Sequence, residues 1–272
     1  MKKYFNLILI LGLTYSVVGQ KPPRLIVRGD DLGAAHAINT AIMDVAKNGI
    51  QTSIEVMVPT PWFPEAVQLL KNNTHLDVGV HLTITSEWDN VKYRPVTPAK
   101  SITNDDGYFY PFIFPNKDYP GQSIMENGYD LQEIEEEFRS QIEIAKRHIL
   151  NLSHLTCHMG CTRFDPKVKE IADRLAQEYG LHINLEDYQV KNISYIGNKY
   201  TPKEKIKALK AMIASLQPGE TYLFVDHPGT YDQEMKGMYH KGYEEVAFDR
   251  AGVTKAWKDP SVKKLITKRG IE

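Results

Sequence analysis

Arg24-Leu25-Ile26-Val27-Arg28-Gly29-Asp30-Asp31 is the stretch that decides how this chain reads. Its first five residues form a short apolar-rich run, as a strand buried in a parallel sheet does. It stops at a glycine and two carboxylates. Residues 34–47 then switch to a helical period, with Ile38, Ile42 and Val45 on one face. Asn48-Gly49 supplies the stop. A strand that passes through polar residues directly into a helix is the repeating unit of an α/β fold.

The unit recurs along the chain. Further strands are expected at residues 52–58, 77–84, 154–158, 181–185 and 222–226, and further helices at 62–71, 131–150, 166–179, 202–216 and 260–268. Six strand–helix units favour an α/β fold with a single (β/α) barrel-like domain, a distorted or incomplete TIM-type barrel, over an open sheet. A long irregular insert, residues 85–127, follows the third strand. Stretches of that length in a compact domain are usually functional.

Bulk properties narrow the function. The 272 residues are 42% hydrophobic, enough for a sizeable core, and carry a formal net charge of -1. No basic surplus is present to neutralise a phosphate backbone, so nucleic acid is not an expected partner. Lys2 and Lys3, an apolar run over residues 7–13, and Ser16-Val17-Val18-Gly19 follow the order of a secretory signal peptide. The run is too short to span a bilayer comfortably, so no stable membrane insertion is expected. The expected division is a signal peptide over 1–20 and a catalytic domain over 21–272, exported to the periplasm or outside the cell. Cys157 and Cys161 are awkwardly spaced for a disulfide within one straight strand, and are expected to be free or only incidentally bonded.

Four expected strands end in groups suited to metal or proton chemistry: Asp30-Asp31, His81, His158 and His227. Taken singly, each has an ordinary reading, as an N-cap, a satisfied core histidine or a turn. A barrel gathers all four at the C-terminal rim of its strands. Two imidazoles and one carboxylate suit a divalent metal, Zn or Mg, with positions left for water and substrate. Two adjacent aspartates would crowd one ion, so a division of labour is expected between them.

At these residues the chain resembles the YdjC-like carbohydrate deacetylases, the family that includes chitooligosaccharide deacetylases. Gly29-Asp30-Asp31-Leu32-Gly33 matches the family's first motif, roughly A-D-D-F-G. Gly79-Val80-His81-Leu82-Thr83 matches G-L-H-L-T, His154-Leu155-Thr156-Cys157-His158 matches H-L-D-x-H, and His227-Pro228-Gly229 matches a late H-P-G. The resemblance runs from Leu25 nearly to the C-terminus. It implies metal ligation by Asp31, His81 and His158, with Asp30 as general base and His227 as proton donor. It also implies an acetylated sugar or oligosaccharide as substrate, while a homodimer is left open. The sequence departs from the pattern at Gly160 and Thr162, where the family often carries histidines, and at Arg28, where a smaller polar residue is usual.

The expected function is removal of an N-acetyl or related acyl group from a sugar by a metal-activated water. Trp88, Tyr93, Tyr108, Phe109, Tyr110 and Phe112 of the insert could stack on sugar rings or form a local apolar cluster. Two other functions fit the same ligand set: a metal-dependent phosphoesterase or sugar isomerase, and a non-catalytic glycan-binding protein. The N-terminal pattern makes a direct prediction. Protein recovered from its native host should begin near Gln20 and be found outside the cytoplasm; recovery with Met1 intact would count against export.

Overall fold

The computed structural model describes residues 21–183 and 185–272, so the expected signal peptide lies outside the described residues. Its strands are β1 (Arg24–Leu32), β2 (Ser53–Val56), β3 (Asp77–Leu82), β4 (Leu152–Cys157), β5 (Lys191–Ile193) and β6 (Thr221–Asp226). Its helices are α1 (His36–Asn48), α2 (Phe63–Lys71), α3 (Ile124–Asn127), α4 (Leu131–His148), α5 (Pro166–Tyr179), α6 (Pro202–Ser215), α7 (Gln233–Lys236), α8 (Val246–Lys258) and α9 (Pro260–Arg269). The strands form one sheet in the order β4-β3-β2-β1-β6-β5, and every pairing is parallel. Among the described residues β4 and β5 do not pair, so the barrel is incomplete: an open six-stranded sheet. All six strands point the same way, which brings their C-terminal ends to one rim.

Local chemistry sets the helix starts. Asp130, Asp165 and Thr201 each accept a hydrogen bond from a backbone N–H of the helix they precede, and Thr201 with Glu204 completes a capping box. Packing does the rest. Ile134, Phe138, Ile142 and Ala145 of α4 are all buried in the larger core, against β3 and α5. A second core joins β1 and β6 to α6, α8 and α9 through Val27, Phe224, Met212 and Trp257.

Two expectations fail. No strand occupies the described residues of 181–185; the strand instead lies at Lys191–Ile193. Leu181 is buried, but as the apolar partner of a helix C-cap. Gly180 closes α5 in the left-handed conformation, and the Leu181 N–H bonds back to the Ala176 carbonyl at 2.7 Å. Helix α8 was not anticipated. Its buried face includes Arg250 and Gly252 among the apolar residues, which blurs the period.

The insert is packed rather than draped. Trp88, Tyr93, Phe109 and Phe112 are all buried, and the Arg94 guanidinium lies over the Tyr108 ring at 4.0 Å. The apolar-cluster reading therefore holds for those aromatics; Trp88, Tyr93 and Phe109 join the larger core. The buried Glu137 carboxylate of α4 ties it down by accepting from the Val96 and Thr97 N–H groups. Phe138→Ala, by opening a cavity in the larger core, should cost about 3–5 kcal/mol in denaturant unfolding. A loss below about 1 kcal/mol would show that α4 is not seated as described.

Candidate metal centre

Side chains alternate between the two faces of a strand, so Asp30 and Asp31 should point in opposite directions. They do not. The β1–β2 register breaks between Gly29 and Leu32, and Asp31 takes a left-handed φ of 76°. Aspartate is one of the few residues that tolerates this conformation. As a result Asp30 Oδ2 and Asp31 Oδ1 both lie 3.8 Å from the same atom, Nε2 of His81. Gly33, two residues on, has φ 106°, and a Cβ there would sit 2.8 Å from Thr60 Oγ1 and 2.9 Å from the Met57 carbonyl. Only glycine fits the turn that ends the motif.

His81 comes from β3 and His158 from the turn that follows β4. Their rings meet edge to face with centroids 5.4 Å apart. One ligating atom from each of Asp31, His81 and His158 lies within 4.8 Å of the others, and all three residues are buried. Asp31 Oδ1 has no hydrogen-bond partner although it is buried; His158 Nδ1 stands 3.4 Å from it. A buried carboxylate oxygen left in this state, facing two imidazole nitrogens, fits a divalent cation.

Each member is held from behind. Arg250 of α8 donates from Nη2 to the other oxygen of Asp31 at 2.8 Å. Glu87, from the insert, sits 3.0 Å from His158 Nε2. Thr156 Oγ1 of β4 sits 2.7 Å from His81 Nδ1. Such outer partners fix ring orientation and leave the second nitrogen for a ligand role. The Arg28 guanidinium forks onto both oxygens of Asp30, at 2.8 and 3.0 Å.

These surroundings set the charges. Burial pushes the Asp30 carboxyl up to about 6, against the pull of Arg28 and His227. For Asp31 burial acts the same way, but Arg250 and the histidines outweigh it and hold the carboxyl well below its usual range. Burial and the neighbouring His158 keep His81 neutral, far below the ordinary imidazole range. Burial also opposes charge on His158, yet Glu87 and Asp31 override it and push that imidazole up to about 10. An imidazole charged in this way releases its proton on becoming a ligand.

His227 follows β6, the strand that pairs with β1 on the side away from β2. Its side chain is 39% exposed, so it meets both the site and solvent. Burial works against its charge, but Asp31 and Asp226 raise its pKa overall.

All five residues named from the sequence therefore reach one rim. Sequence reasoning missed Glu55, Glu87, Thr156 and Arg250. Glu55 carried a signal, a charge within an apolar strand. Glu87 and Arg250 carried none, since neither lies in an element whose packing could be read. The cysteine expectation is corrected: Cys157 and Cys161 form a disulfide that brackets His158. It closes because β4 ends at Cys157. Met159 and Gly160 then turn through left-handed conformations, at φ 49° and 69°, and bring the two sulfurs together.

Known proteins resemble this chain to different degrees. A "carbohydrate deacetylase 2" of Listeria innocua serovar 6a is 29% identical over 219 residues, 77% of this chain and 82% of that protein. A "carbohydrate deacetylase" of Thermus thermophilus is 32% identical over 157 residues, 58% of this chain and 51% of that protein. Among solved structures, a protein of Enterococcus faecalis V583 described as a cellobiose-phosphate cleavage protein superposes with a TM-score of 0.71 at 23% identity, covering 92% of this chain and 96% of that one. That likeness shows the fold. The profile of the YdjC-like proteins matches residues 24–268, essentially all of the described domain. The chain therefore belongs to the family of YdjC-like proteins.

Proposed function

We propose that the chain is a divalent-metal-dependent carbohydrate deacetylase. The observation that carries this reading is the convergence of Asp31, His81 and His158 within 4.8 Å, beside a second carboxylate that is not part of the ligand set. The relatives named as carbohydrate deacetylases support the substrate class.

Asp31 Oδ1, His81 Nε2 and His158 Nδ1 would hold the ion. Bound there, a divalent metal lowers the pKa of a water and polarises an acyl carbonyl. Asp30 takes a proton from the attacking water as its oxygen bonds to the acyl carbon. A carboxylate has about four acceptor sites, so the Arg28 fork leaves Asp30 room for that proton. Its pKa near 6 keeps it mostly ionised at neutral pH and still basic enough to be useful. His227 gives a proton to the sugar nitrogen as the carbon–nitrogen bond breaks. The products are acetate and a free amine.

The variants separate these roles. His81→Ala or His158→Ala should lose bound metal and activity while the circular dichroism spectrum stays native. Asp30→Asn keeps shape and most hydrogen bonding but not basicity, so it should lower kcat by about 10²–10⁴-fold with metal content unchanged. Asp31→Asn should instead weaken metal binding, with activity partly restored by excess metal. Acetate release from a panel of N-acetylated sugars, measured beside metal content, is the assay. No acetate from any sugar, or full metal occupancy in both histidine variants, would overturn the proposal.

A further inference from the structure

Glu55 is the most enclosed charge near the site. It lies in β2, is 0% exposed, and has no place in the chemistry described above. A charge so placed is costly unless its partners satisfy it. The Arg28 guanidinium of β1 stands 3.8 Å from Glu55 Oε1, but the carboxylate's hydrogen-bond partners lie two strands away. Register aligns Glu55 with Gly79 of β3, and Gly79 with His154 of β4. The side chain crosses β3 to reach β4. There His154 Nε2 stands 2.7 Å from Oε1, and Thr156 donates its hydroxyl hydrogen to Oε2. Gly79 makes the crossing possible: a Cβ at that position would lie 2.3 Å from Glu55 Oε2 and 2.6 Å from His154 Nε2.

Thr156 has one proton and two close partners, Glu55 and His81. The carboxylate only accepts, so the hydroxyl proton goes to Glu55. The hydroxyl oxygen must then accept from His81 Nδ1, 2.7 Å away. A neutral imidazole carries one proton. With it committed to Nδ1, Nε2 is left with a bare lone pair, and it is Nε2 that stands 3.8 Å from Asp31 Oδ1.

We propose that Glu55, acting through Thr156, is a positioning residue that fixes the tautomer of His81 and aims its bare Nε2 at the ion site. This rests on the reading of His81 as a ligand. Gly79 of the G-x-H-L-T motif is then part of the same device, as the gap through which Glu55 reaches β4.

The test uses full-length protein and two readouts. The first is the His81 tautomer in apoprotein, from long-range ¹⁵N–¹H correlation spectra of histidine-labelled protein. The second is the zinc(II) Kd by chelator competition. Wild type should show the Nδ1–H form alone. Thr156→Val keeps the shape but cannot relay, so it should give a mixture of tautomers and bind zinc about 10–100-fold more weakly. Thr156→Ser should restore both. Glu55→Gln should weaken zinc binding in the wild-type background but add little to Thr156→Val, because both act through one path. If Glu55→Gln does not fold, the Val and Ser variants still decide the relay. An unchanged tautomer and unchanged zinc affinity in Thr156→Val would overturn the proposal. His81→Ala tells the two failures apart. If it keeps zinc, the ligand assignment itself fails. If it loses zinc while Thr156→Val does not, only the relay is wrong.

Discussion

The site depends on a backbone reversal at Asp31. A strand presents consecutive side chains to opposite faces, so one strand cannot ordinarily place two adjacent carboxylates against the same imidazole. The left-handed turn of Asp31 and the register break beside it remove that restriction. For an L-residue that conformation costs roughly 1–2 kcal/mol. The ion pair with Arg250 offsets the cost, because it holds the Asp31 side chain in the orientation the turn creates. The same turn lets Asp31 face the imidazoles beside Asp30, which Arg28 holds.

Charge is the second constraint. Asp30, Asp31, Glu55 and Glu87 are all nearly or fully buried. Each faces a partner from another position: Arg28, Arg250, His154 with Thr156, and His158. Removing one member of such a buried pair typically costs about 3–5 kcal/mol, because the other charge is left uncompensated. The network therefore arrives oriented and has little freedom to reorganise, which is what electrostatic catalysis requires.

The loops complete what the strands begin. The insert contributes Glu87, a buried carboxylate against His158. The disulfide after β4 constrains the turn that presents His158. Helix α8 contributes Arg250 and seals the second core with Trp257. In each case a contact made outside the strand itself sets the direction of a side chain at the rim.

Much of this was legible in the sequence. Period and punctuation gave the α/β alternation, five of the six strands, and the arrival of Asp30, Asp31, His81, His158 and His227 at strand ends. Those features are local, and local propensity writes them plainly. The sequence could not show that β1 breaks its alternation at Asp31, that Leu181 caps a helix instead of starting a strand, or that Cys157 and Cys161 meet. Nor could it show that Glu55 crosses a neighbouring strand over Gly79, or that Arg250 comes back from α8 onto Asp31. The last two depend on contacts between residues 99 and 219 positions apart. Such contacts arise only when the strands take their order in the sheet and the helices pack on it. The sequence alone determined which chemical groups reach the rim; the tertiary structure decided which atom of each faces the candidate site, because that orientation is set by distant partners.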